Sequence, residues 1–240
     1  MNRINLETVY TDIAIEKSNK YNKTKINIDG YNYITIRFND ITDYNENKKI
    51  ENKLIKNLNY ILKENNIKDD DYGLIVGLGN INSTPDSLGP KVIENIIVTS
   101  HLFDLNVVEK GFRKISTFIP SVTSVTGIET YNLIKSIVKE IKPDFLIVID
   151  SLKASKEDNL NKIIQLTDKG IKPGSGIKNN RKEISKNNMN IPVICIGVPT
   201  VININDLIVC NVNIDFFIDK ISLLISNSIN RCMHENVKNI

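Results

Sequence analysis

The sequence predicts an α/β fold built on a mainly parallel sheet with helices on both faces. Three observations carry that expectation. Strand-like and helix-like segments alternate along the chain, the order that sets parallel strands between covering helices. The central strand candidates, Leu74-Ile75-Val76 and Phe145-Leu146-Ile147-Val148-Ile149, are apolar throughout, as strands buried on both faces are. Finally, 240 residues with 41% hydrophobic and 25% charged content suit one large domain or two small ones around a sizeable core.

Tyr31-Asn32-Tyr33-Ile34-Thr35-Ile36-Arg37-Phe38 alternates polar and apolar residues and reads as a half-buried strand. Residues 50–62 carry Leu54, Ile55, Leu58, Ile61 and Leu62 at helical spacing, which predicts an amphipathic helix. The Leu74 strand follows, then a glycine-rich loop and a helix over 89–98. Residues 129–141 form another helix, closed by Lys142-Pro143 because proline cannot continue it. The Phe145 strand ends in Asp150. Ile163-Ile164-Gln165-Leu166 and Val193-Ile194-Cys195-Ile196-Gly197 are further short strands, and 216–233 is a terminal helix. The first forty residues are more polar and are expected to be partly detached from the core.

Bulk properties exclude several function classes. A net charge of +3, spread without a long basic run, gives no reason to expect nucleic acid or an anionic membrane as partner. The apolar runs are too short to span a bilayer, and the first residues lack the apolar core of a secretory signal. Cys195, Cys210 and Cys232 form no close-spaced pair, so a reducing cytoplasm is the expected compartment. With His101 and His234 as the only histidines, spacing assembles no zinc constellation, and no metal or cofactor is expected.

The chemistry concentrates in Gly77-Leu78-Gly79-Asn80-Ile81-Asn82-Ser83-Thr84-Pro85-Asp86-Ser87-Leu88-Gly89-Pro90, the loop after the Leu74 strand. Small residues let such a loop approach a ligand closely, and it carries one acid, Asp86. A second acid, Asp150, ends another apolar strand. In a parallel sheet the carboxyl ends of neighbouring strands lie side by side, so the two carboxylates can face one crevice. Close carboxylates share a proton, which gives one the role of base toward water and the other that of acid. The competing reading makes Asp86 a helix cap and Asp150 a strand-end turn residue. Thr167-Asp168-Lys169-Gly170-Ile171-Lys172-Pro173-Gly174-Ser175-Gly176 is either a second source of backbone donors or a surface loop. Gly77-Leu78-Gly79 lacks the third glycine of a dinucleotide loop, and neither a G-x-S-x-G nor a Walker motif is present.

Taken together, these segments resemble the germination proteases of endospore-forming bacteria. The likeness rests on Val76-Gly77-Leu78-Gly79-Asn80, Thr84-Pro85-Asp86-Ser87-Leu88-Gly89-Pro90-Lys91-Val92, Thr126-Gly127-Ile128-Glu129-Thr130 and Ile149-Asp150-Ser151-Leu152. It continues in Asp168-Lys169-Gly170-Ile171, Pro173-Gly174-Ser175-Gly176, Asn180-Arg181-Lys182-Glu183 and Ile196-Gly197-Val198-Pro199-Thr200. The resemblance implies a three-layer α/β fold similar to hydrogenase maturation proteases. It implies an endopeptidase of the two-aspartate type that starts the degradation of small, acid-soluble, DNA-protecting spore proteins, with the spore core as compartment. The catalytic pair falls on Asp86 and Asp150. On that reading the loops at Gly79-Asn80 and Gly174-Ser175-Gly176 are expected to bind the substrate through backbone donors, with Asp168 as a supporting acid.

The family is made as a self-trimming zymogen and is typically tetrameric, so a homo-oligomer is expected. Thr11-Asp12-Ile13-Ala14-Ile15-Glu16 is similar to the sequence cleaved in the family's substrates, which implies processing between Ile13 and Ala14. The expected organisation is a pro-segment over 1–13 and a single peptidase domain over 14–240. The chain departs from the family pattern at Ile81, where a tryptophan is usual, and over Lys153-Ala154-Ser155-Lys156. A long segment before the last helix of full-length relatives is reduced here to about 201–213. Two alternatives follow: a divalent metal held by the two acids, and a shortened, weakened or inactive relative that binds spore proteins or a full-length subunit.

Overall fold

The computed structural model describes residues 25–174, 182–205 and 207–237. Its strands are β1 (Lys25–Ile28), β2 (Tyr31–Arg37), β3 (Gly73–Gly77), β4 (Ile115–Phe118), β5 (Phe145–Ala154), β6 (Ile163–Thr167), β7 (Val193–Ile204) and β8 (Leu207–Cys210). They form one sheet in the order β1-β2-β6-β7-β5-β3-β4, with β8 beside the far end of β7. Strands β4, β3, β5 and β7 are parallel neighbours, while β6 is antiparallel to both β7 and β2. Strand β2 therefore points with the parallel four, so five of the eight strands share a direction and the sheet is mostly parallel.

The helices are α1 (Tyr44–Glu64), α2 (Leu88–Ile93), α3 (Ser100–Asp104), α4 (Thr123–Thr126), α5 (Thr130–Ile141), α6 (Lys186–Met189) and α7 (Ile214–Met233). The two-residue period of the strands sorts the core into two layers. Ile75, Ile147, Ile149, Ile194, Ile196 and Val198 pack with Leu54 and Leu58 of α1, Val92 of α2 and Ile221 and Ile225 of α7. Their neighbours Leu74, Val76, Leu146, Val148, Val193 and Cys195 pack on the other face with Tyr131 and Ile134 of α5 and Met189 of α6. Burying each such aliphatic side chain contributes about 1.5–3 kcal/mol. The uninterrupted apolar strands thus have a cover on each side, and the result is a three-layer α/β domain.

Several boundaries differ from the sequence reading for local reasons. Helix α1 starts earlier because Asp43 caps it, its Oδ1 accepting from the Glu46 N–H at 2.7 Å. Glu46 in turn accepts from the N–H groups of Asn39 and Asp40. Helix α2 stops at Ile93 instead of running to 98, because the chain tightens: Asn95 N–H bonds to Val92 O and Ile96 N–H to Ile93 O. The Ile97 N–H then turns to Asn230 Oδ1 of α7. Strand β5 continues past Asp150 to Ala154 by pairing with β7. The stretch 201–213, read as a connection, instead completes β7 and returns as β8. From residue 25 onward the N-terminal region is part of the sheet, with Ile34 and Ile36 in the core.

Candidate active site

The loop that carries Asp86 is built by close backbone approaches that only glycine permits. A Cβ on Gly77 would lie 2.3 Å from the Gly89 carbonyl oxygen, and one on Gly89 would lie 2.2 Å from the Leu78 oxygen. The end of β3 and the start of α2 therefore touch backbone to backbone. Gly79 has φ +116°, and a Cβ there would fall 1.9 Å from the Asp86 oxygen. The adjoining Asn80 N–H lies 3.0 Å both from the Asp86 carbonyl oxygen and from its carboxylate Oδ2. Asp86 closes a single 3-10 turn, Thr84–Asp86, pinned from the side by the Thr200 hydroxyl, which donates to Pro85 O at 2.6 Å. Its place is set by this turn and by the Asn80 contact.

Asp150 comes from the neighbouring strand. Gly77 on β3 pairs with Ile149 on β5, and Leu78 N–H donates to Ile149 O at 2.8 Å. The chain thus leaves β3 beside the residue that precedes Asp150. Following Leu146 and Val148, Asp150 points to the α5 face of the sheet, and it is 8% exposed. Asp86 and Asp150 line one open cavity of about 410 Å3. The capping reading of Asp86 is not what the structure has: Ser87 is the N-cap position of α2, and no side chain makes a capping bond there.

The other expected site residues divide. Gly174 lines the cavity with the two acids. Gly79 and Asn80 act on the cavity by shaping the Asp86 loop. Asp168 is not brought to it: both carboxylate oxygens are engaged, Oδ1 by Asn32 N–H at 2.7 Å, and Oδ2 by the amides of Asn32 and Asn65 at 2.8 and 3.0 Å. That residue fastens β2 and the end of α1 to the end of β6. Ser175, Gly176, Ile13 and Ala14 lie outside the described residues. Ile81 is 47% exposed, so the atypical residue of the loop projects outward rather than packing beneath it.

Sequence reasoning missed most of the cavity wall. Lys153, Val201 and Ile208 come from the extension of β5, β7 and β8 beyond the main sheet, and Lys172 from the loop after β6. Tyr33, Gln165, Cys195 and Gly197 form the floor from β2, β6 and β7. A polar residue in the middle of an apolar strand, as Gln165 is, was the one signal on offer. Chemically, two carboxylates lining one largely apolar cleft are suited to passing protons to and from a bound water. Among the described residues, no group of three or more His, Cys, Asp or Glu side chains is placed to hold a metal ion. None of the helices described is long and apolar enough to cross a membrane.

Comparison with known sequences points to one family. The family model described as germination protease matches residues 3–208. The germination protease of Priestia megaterium is 46% identical over 175 residues, covering 71% of this chain and 47% of its own length. That of Bacillus cereus (strain AH187) is 48% identical over 176 residues, covering 72% of this chain and 48% of its own. The chain spans about half the length of the curated relatives it matches. Among solved structures, the [NiFe] hydrogenase maturation protease HycI from Thermococcus kodakarensis KOD1 aligns over 72% of this chain and 97% of its own, at 15% identity and a TM-score of 0.41.

Proposed function

This chain belongs to the germination protease family, and from that premise we propose that it is an endopeptidase acting on small acid-soluble spore proteins through Asp86 and Asp150. The observation that carries the reading is the convergence of those two acids, from adjacent parallel strands, on one cleft. The dyad enters the cycle holding one proton. The ionised carboxylate takes a proton from water as the water oxygen attacks the peptide carbonyl carbon. The protonated partner gives its proton to the departing amine as the C–N bond breaks. The dyad is left singly protonated with its roles exchanged, ready for the reverse assignment.

The cleft suits an extended peptide. Leu152, Val201 and Ile208 offer apolar contact, while Lys153 and Lys172 add two cations to the same lining. The same site is proposed to remove residues 1–13 by cutting between Ile13 and Ala14, in a zymogen that trims itself within the spore core. A homo-oligomer, a tetramer in the family, is part of the same proposal. The test is incubation of the purified chain with a small acid-soluble spore protein. Defined fragments, cut at an acid–apolar–small sequence, support the reading. Binding without fragments assigns the chain to a non-cutting relative instead.

A further inference from the structure

Gln165 sits where no structural role uses it. It lies in the middle of β6 between Ile164 and Leu166, which both turn to the α1–α7 layer, so its own side chain turns to the opposite face, where the cavity is. It is 8% exposed. Among the described residues, its amide makes no hydrogen bond, ion pair or ring contact. The amide reaches the open cavity, where an aliphatic residue would fill the strand centre equally well without offering a donor. Its neighbours Ile163, Ile164 and Leu166 are all apolar and buried.

The sheet register says what the amide faces. Gly197 of β7 pairs with Asp150 of β5 on one side and with Gln165 of β6 on the other. The three positions share one face of the sheet, and the middle one has no side chain. Adjacent strands are spaced by about 4.8 Å, so the backbones of Asp150 and Gln165 stand roughly 10 Å apart, with the Leu152 side chain lying over the glycine between them. Both side chains line the same cavity, so a peptide seated above Leu152 has a carboxyl group on one side and an amide on the other. A Cβ on Gly197 would lie 2.4 Å from Leu152 Cδ1, so the glycine lets Leu152 pack down onto the sheet.

We infer that Gln165 is a catalytic residue of this site: its Nε2–H donates to the carbonyl oxygen of the scissile peptide bond and holds the oxyanion that forms when water adds. This deepens the two-aspartate reading and rests on it. The acids handle protons, and the one O–H that the singly protonated pair carries is committed to the departing amine, which leaves the developing negative oxygen without a donor. A neutral amide fixed opposite Asp150 supplies one without adding charge. Oxyanion donors of this kind act on the transition state more than on the bound substrate.

The test is Gln165→Met, close in size and without the donor, assayed on a small acid-soluble spore protein beside Asp86→Asn and Asp150→Asn. The expected result is a fall in kcat of about 100-fold, the usual effect of one lost oxyanion donor, with KM within about threefold. A raised KM at unchanged kcat, or wild-type kinetics, overturns the inference. If the aspartate variants are also fully active, the two-aspartate reading fails as well, and the two failures are told apart. Should the wild type cut nothing, binding decides. The probe is a peptide of residues 8–20 carrying a difluoroketone hydrate at the Ile13–Ala14 bond. Gln165→Met is expected to weaken this probe at least tenfold while leaving the unmodified peptide unaffected; equal weakening of both overturns the assignment. Gln165→Asn, which withdraws the amide by one methylene, replaces the Met variant if that does not fold.

Discussion

The Thr200 hydroxyl, fully buried, donates to the Pro85 carbonyl at 2.6 Å and so ties strand β7 to the turn that holds Asp86. This single bond spans the site: β7 carries the Gly197 floor, while Pro85 directly precedes the first acid. Thr200→Val keeps the shape and removes the donor. It is expected to cost about 0.5–1.5 kcal/mol in urea unfolding. Cleavage is expected to fall by a larger factor than that loss of stability explains, because the Asp86 turn loses its lateral anchor.

Gly79 tolerates no side chain. Its positive φ alone penalises alanine by about 1–3 kcal/mol, and the added Cβ would collide with the Asp86 backbone oxygen. Gly79→Ala should therefore lower the melting midpoint and abolish cleavage together. Gly127 is the contrast: it too has positive φ, but open space surrounds it. Gly127→Ala should lower the midpoint modestly and spare the catalytic rate.

His234 predicts an acid limit to stability. The ring is fully buried; its Nδ1 faces the Arg113 N–H, and its Nε2 faces Ile97 O at 3.2 Å. Burial pushes its pKa below the usual value near 6.5. The nearby Arg113 charge adds to that, against the opposing Ile97 hydrogen bond. The unfolded chain then takes up a proton near pH 6.5 that the folded chain refuses. Stability contributed by the neutral ring is full above that pH and is lost as pH falls toward the folded pKa. Urea unfolding from pH 8 to pH 5 should show declining stability in this window. His234→Asn should flatten the decline while lowering stability at pH 8.

The proposed self-processing offers a readout within the chain itself. Mass analysis of matured wild type should find Ala14 as the new N-terminus, and Asp86→Asn should keep Met1 or Asn2. Excess chelator should leave the trimming rate unchanged if the two carboxylates work without a metal. Inhibition by chelator, reversed by a divalent cation, would instead assign the acids to a metal.

Much of this was legible before the structure. The continuous apolar runs at Leu74 and Phe145 announced buried parallel strands, and the acids at their carboxyl ends announced the cleft. Helices α5 and α7 were readable from their apolar stripes. Edge strands were not. Strand β1 is a four-residue segment with only half-buried isoleucines, and β4 reads Ile115-Ser116-Thr117-Phe118 without a clear period. Strand β8 is defined by pairing with the far half of β7, a tertiary contact that local pattern does not carry. The same limit explains Asp168: an acid in a glycine-rich loop looks functional until Asn32 and Asn65, 136 and 103 residues away in sequence, are seen to consume it. Gln165 was hidden for the opposite reason. A polar residue within an apolar strand is its one mark, and that mark gains meaning only when Gly197 is found between it and Asp150.

The central claim is that Asp86 and Asp150 work as one catalytic unit. The most direct measurement is kcat for cleavage of a small acid-soluble spore protein by Asp86→Asn, Asp150→Asn and the double variant, each checked for an unchanged unfolding midpoint. Groups that act as a unit give grossly non-additive losses. Each single substitution should therefore cost nearly as much as both together. Two modest losses that multiply in the double variant, or a single variant that cleaves at the wild-type rate, would contradict the account.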